Sequence, residues 1–232
     1  MMKRVATVVL MCAFAATAAM AAPPAKKAPA KKAAAPAAKQ AGPTADAVFA
    51  SLYKRIETLN KYTFIFDYTE VKKDKTEART CEFKYAGPEF IYLSVTDGDN
   101  KGSQVVYNAK KNKKAVRAKQ SFMPMAISVG KDDPRLAGVF VTDWNSDLIA
   151  IKKMIAGAKP VMVGSDKIKG RDAYKIEFTG LKGDFNKIDL WIDKKENLLL
   201  QYEYFKNNEF SQRKTWYGFK LDAPLTDDDF KL

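Results

Sequence analysis

An α+β domain built on one curved, antiparallel sheet is what this sequence predicts, on three observations. About ten runs carry strand-like patterns, most with period-two alternation of apolar and polar side chains. Clusters of Gly, Asp, Asn and Lys separate them, and only two stretches carry a helical period. Short strands joined in this way pair as antiparallel meanders, and the helices must cover the apolar face they create.

The segments ahead of the domain read differently. Residues 1–21, "MMKRVATVVLMCAFAATAAMA", join a basic start at Lys3 and Arg4 to an apolar run and small residues at Ala19 and Ala21. That is the pattern of a secretory signal peptide cut near Ala21, which predicts export. The run is rich in Ala and short of the roughly 20 strongly apolar residues of a membrane span. Residues 22–43 hold ten Ala, five Lys and five Pro and repeat the unit PAKKA, the composition of a flexible linker. Two readings of its lysines stay open. Lys26, Lys27, Lys31 and Lys32 either hold the linker on an anionic membrane, at about 1 kcal/mol each, or keep it a solubilising spacer.

The net charge of +13 is concentrated in these segments. Residues 44–232 carry 33 basic and 27 acidic side chains, with no basic helix or interleaved aromatic platform, so no nucleic-acid partner is expected. Cys81 is alone once the signal is removed, and a buried strand thiol is its ordinary use.

The domain, residues 44–232, opens with "TADAVFASLYKRIETLN", where Val48, Leu52, Ile56 and Leu59 share a helix face behind Thr44 as N-cap. Strand patterns follow at 62–72, 77–86, 89–97, 103–109 and 113–119. Residues 121–158 then break the pattern as an irregular insert ending in a helix with the stripe Leu148, Ile151, Met154 and Ile155. Strand patterns resume at 160–168, 173–179, 187–193, 198–206 and 209–219.

Aromatic side chains crowd the first meander. Tyr62, Phe64, Phe66 and Tyr68 alternate along one strand and so form one row, and Phe83 and Tyr85 share a face with Cys81 on the next. With Tyr92 and the Met123/Met125 segment, these rings either fill a core, the ordinary fate of strand aromatics, or line a pocket for apolar ligands, which flexible Met side chains suit.

The last 46 residues, 187–232, resemble the end of LolA/LolB-like proteins, the outer-membrane lipoprotein carriers and their relatives. The resemblance lies in a strand with Trp191, Ile192 and Asp193, a turn, a long strand, a hairpin, and a terminal Leu225-x-Asp227-x-x-Phe230. The order of helix, meander, helical insert and second meander agrees with it. It implies an incomplete β-barrel closed by helices, whose concave face accepts acyl chains, in the periplasm of a Gram-negative envelope. No role is carried onto Arg79 or Arg117.

Catalytic motifs are missing from the sequence. There is no histidine, no phosphate-binding or dinucleotide Gly-rich loop and no nucleophile elbow, and the acidic run "TDDDF" at 226–230 lacks the Gly and distal Glu of a calcium loop. The expectation is a non-enzyme without metal or cofactor that shields lipid or lipoprotein acyl chains. Its rival is an envelope structural or sensory module that binds a protein partner.

Overall fold

Eleven strands emerge among the described residues where alternation pointed to about ten. The computed structural model describes residues 42–232 apart from 74, 131, 132, 134–142 and 182. The signal peptide, and the linker up to residue 41 with its four named lysines, lie outside the described residues. Helix α1 spans Ala45–Glu57 and β1 to β5 span Lys61–Lys72, Lys75–Ala86, Phe90–Gly98, Gln104–Asn108 and Ala115–Lys119. The insert contributes β6, Ile127–Gly130, and α2, Trp144–Met154; β7 to β11 follow at Val161–Ile168, Arg171–Thr179, Lys187–Asp193, Leu199–Lys206 and Glu209–Leu221. A 3₁₀ turn, Asp227–Phe230, comes after β11.

All eleven strands form one antiparallel sheet in the order β6-β5-β4-β3-β2-β1-β11-β10-β9-β8-β7. The first meander runs from the middle outward to one edge. The second starts at the other edge and returns, so that β11 lies beside β1, with Phe66 opposite Trp216 and Tyr68 opposite Lys214. Edges β6 and β7 do not pair with each other, and the sheet is open. Strand β6 escaped the sequence reading because its four residues are too few to show alternation; pairing with β5 makes it a strand.

Helices α1 and α2 lie on one face, hereafter the inner face. Thr44 caps α1 by accepting from the Ala47 N–H at 3.2 Å, and Val48, Leu52 and Ile56 are buried as expected. Asp143 caps α2, accepting from the Asn145 and Ser146 N–H groups at 3.0 and 3.1 Å. The Tyr53 hydroxyl donates to the Leu148 carbonyl at 3.4 Å, tying the helices together.

The first three rings of the aromatic row, Tyr62, Phe64 and Phe66, are core. Register sets Tyr62 opposite Tyr85 and Phe64 opposite Phe83, and these pairs stack at 4.9 and 4.8 Å. Trp144, the first residue of α2 and not among the rings that the sequence pattern singled out, descends onto them with its ring 5.2 Å from Tyr62 and 4.9 Å from Phe64. It is 0% exposed, and its Nε1 donates to the Leu199 carbonyl at 3.2 Å.

Replacing Trp144 with Ala is expected to destabilise the fold by about 3–5 kcal/mol, the usual cost of deleting a buried Trp. Urea titration followed by circular dichroism measures this.

Candidate functional site

Reading one row of inner-face side chains across the first meander locates the site. Phe64, Phe83, Leu93, Val105, Ala118 and Ile127 stand opposite one another in turn on β1 to β6. Side-chain bulk falls along this row from the two phenylalanines to Ala118, before Ile127 at its edge, and exposure rises from 1% at Phe64 to 41% at Ile127. Trp144 covers the aromatic end. Where the row thins to Val105 and Ala118, a pocket of about 490 Å³ opens, floored by Leu93, Val95, Val105, Ala118, Ile127 and Val129, with Met123 beside it.

One end of the pocket is polar, with Arg79, Asn100, Ser103 and Gln120. The β3–β4 turn builds that end. Gly98 has φ 79°, and a Cβ there would sit 2.2 Å from the Ala78 carbonyl, so a glycine is required for the turn to approach β2. The approach is locked reciprocally, because the Asp99 N–H donates to the Ala78 carbonyl and the Ala78 N–H to Asp99 Oδ2, both at 2.8 Å. Arg79 stands opposite Gly98 and packs its guanidinium over the Tyr68 ring at 5.0 Å.

The sequence-named residues divide accordingly. Tyr62, Phe64, Phe66 and Phe83 are buried in the packed core, and half-buried Tyr85 stacks on Tyr62. Tyr68 borders the Arg79 end, its hydroxyl reaching Gln212 Oε1 at 3.5 Å. Tyr92 is a correction: its partners are Lys84 and Val106, which puts it on the outer face, where its hydroxyl accepts from Gln104 Nε2 at 3.3 Å. Met123 lines the pocket, whereas Met125 is 75% exposed beside Phe122 at 80%. The floor residues missed were Leu93, Val95, Val105, Ala118, Ile127 and Val129. For Val105 and Ala118 the signal was smallness in register with Phe83, legible only once strand pairing is known.

A buried ion pair lies nearby on the inner face. Lys214 Nζ meets Asp147 Oδ2 of α2 at 2.6 Å, above the rings of Phe66 and Trp216 at 4.7 and 5.1 Å. Burial raises the Asp147 carboxyl to about 6 despite the opposing pull of Lys214. This pair anchors the start of α2 to the β1–β11 seam.

The motif residues near the C-terminus serve the fold. Asp193 accepts from Arg171 Nε at 2.8 Å and from the N–H groups of Lys195 and Glu196, capping the β9–β10 turn. Burial alone would raise its carboxyl, but Arg171 and these turn N–H groups hold it below the usual value. Trp191 sits on the outer face under Lys175, at 4.7 Å. Phe230 is buried against Phe90 at 5.3 Å, and Asp229 accepts from the Thr226 N–H and from Lys84 Nζ. Among the described residues no cluster of acidic, Cys or His side chains has the makings of a metal site, and no helix is long and apolar enough to cross a membrane.

No family model and no curated protein sequence matches the chain. Solved structures do. The chain is similar to an uncharacterized conserved protein from Thermus thermophilus, with a TM-score of 0.50 and 11% identity over 79% of this chain and 92% of that one. It is similar to a LolA superfamily protein from Nitrosomonas europaea, with a TM-score of 0.39 and 12% identity over 82% and 99%. The Mycobacterium tuberculosis lipoprotein LppX gives a TM-score of 0.48 and 15% identity over 78% and 98%. The likeness is one of fold, and the open sheet covered by helices is the architecture that the C-terminal resemblance implied.

Two outcomes follow from the burial on this face. Asp147 contributes stability that is full below its ordinary 3.8 and is lost as pH rises through about 6. Relative to Asp147→Asn, the unaltered protein should therefore lose stability between pH 4 and pH 7, measured as urea midpoints across that range. Burial pushes the Cys81 thiol up to about 11, so alkylation at pH 8 should be slow in the native protein and complete only on unfolding.

Proposed function

We propose that this protein is a non-catalytic carrier of the bacterial envelope that shields a lipid acyl chain in the pocket over β3 to β6. The observation that carries the reading is the pocket itself: an apolar hollow of about 490 Å³ on the open half of the inner face. Phe122 and Met125, 80% and 75% exposed, flank the pocket's Met123 and supply apolar surface at the approach. Each methylene moved from water into the pocket contributes about 0.8 kcal/mol. The signal-like N-terminus supports export, and the resemblance of the last 46 residues supports the open-sheet architecture in which such a pocket forms.

Binding on this reading leaves the core alone. Charged substitutions at Phe66 or Phe83, which a ring-lined cavity would have recommended as tests, instead disrupt packing, because both side chains are buried among other rings. The informative change is at half-buried Ala118, whose neighbours are the hollow.

A protein-binding module is the second reading, favoured by edge strand β7, where Val161 and Val163 are 53% and 46% exposed beside backbone that pairs with no further strand among the described residues.

Ala118→Phe is expected to fill the pocket, to leave the urea midpoint unchanged or higher, and to weaken binding of a fluorescent fatty-acyl probe by about tenfold or more, since a ring displaces several ligand methylenes. Unchanged probe affinity in the folded variant would remove acyl binding from this pocket and favour the β7 reading.

A further inference from the structure

The pocket has a direction, and its ends differ in charge. Among the described residues no acidic side chain lines it, and Arg79 is the cation that the register sets on the inner face at its polar end. Lys119, also at the pocket's margin, stands opposite Gln104 in the outward-facing set. Arg79 enters no ion pair among the described residues, whereas other cations of β1, β2 and the β3–β4 turn do: Lys72 and Lys75 meet Glu77, Lys84 meets Asp229 and Lys101 meets Asp97. Arg79 is half-buried with its guanidinium over Tyr68, and Asn100, Ser103 and Gln120 stand around the same end as further hydrogen-bonding groups. A guanidinium held on an aromatic face beside an apolar hollow, with no carboxylate partner among the described residues, has a planar fork that suits a carboxylate or phosphate.

From this geometry we infer that the ligand is a single-chain amphiphile with an anionic head, its acid group on Arg79 and its chain along Val105, Ala118 and Ile127. The inference rests on the acyl-binding reading and deepens it. A volume of about 490 Å³ lies in the lower part of the roughly 300–1,000 Å³ range of small-molecule sites, which suits one chain and excludes several. The turn locked by Gly98 and Asp99 fixes the head's position relative to the floor, so the site discriminates by charge at one end and by apolar length at the other.

Four probes and two variants test it, using the full chain: palmitate, palmitoyl lysophosphatidate, neutral monopalmitoylglycerol and the cationic detergent hexadecyltrimethylammonium. In calorimetric titration at neutral pH below micelle concentrations, one or both anions should bind about tenfold or more tighter than the neutral lipid, the scale of a charge-assisted hydrogen bond, and the cation weakest. The tighter anion identifies a carboxylate or phosphate head. Arg79→Gln should erase the preference, weakening the anions about tenfold or more and monopalmitoylglycerol much less, a charge-selective loss that a merely structural role for Arg79 would not produce. Arg79→Lys should restore part of it. Equal affinities for anionic and neutral lipids, or a preference that survives Arg79→Gln, would overturn the inference and leave acyl binding standing. Failure of every probe to bind would overturn both.

Discussion

Trp144 divides the inner face into a closed half and an open half. Its indole fills the space above Tyr62 and Phe64 and reaches Phe219 at 5.1 Å, so the middle of a sheet that resembles an empty trough is solid. An aromatic of this size gains by burying most of its surface, and its Nε1 must find an acceptor once dry. The Leu199 carbonyl on β10 provides it. Anchored to both meanders at once, α2 fixes the sheet's middle, and the Lys214–Asp147 pair adds a second link to the seam one turn along the helix. The pair adds specificity of placement more than net energy, since desolvating both charges offsets much of their attraction.

With the middle closed, any hollow must lie toward an edge. The β1-to-β6 row shows why it lies where it does: two phenylalanines under the helix, then Leu93 and Val105, then a lone methyl at Ala118. Packing density in a protein interior tolerates no such taper unless a neighbour fills it. The sequence disclosed the bulky end readily, because four rings at alternating positions announce themselves. It concealed the small end, because Val105 and Ala118 look ordinary until pairing aligns them with Phe83. Helix α1, its cap and most strand positions were legible from period and turn chemistry. Strand β6 was not, since its four residues acquire their conformation from β5. Tyr92 misled for a related reason: on a strand apolar on both faces, period alone does not say which set looks inward, and only the pairing with Lys84 decides it.

The residues that carried the resemblance are structural. Asp193 caps a turn, Ile192 fills the core, Trp191 covers the outer face and Phe230 pins the C-terminal segment under β3. Such residues specify an open sheet and hold its ends, and they touch no part of the pocket. This is why a likeness built on them reports architecture and is silent about ligand. On the proposed reading the specificity of the site lies elsewhere, in Arg79 and the small row, where a fold-level motif has nothing to say.

Separating core from pocket has a mechanical consequence for a carrier. If the ring cluster itself were the binding surface, each loading would have to lift Trp144 and break the contacts that hold the two meanders together. That would tie ligand exchange to partial unfolding. In the proposed arrangement the walls are β3 to β6 and the segment around Met123, at the margin of the sheet, while the β1–β11 seam stays shut. Ligand affinity is then set by the apolar length in contact and by the charge at Arg79, and the stability of the domain by the rings and Trp144. The two quantities vary independently, so the pocket can change its ligand by substitution at Ala118 or Ile127 without disturbing the core that positions it.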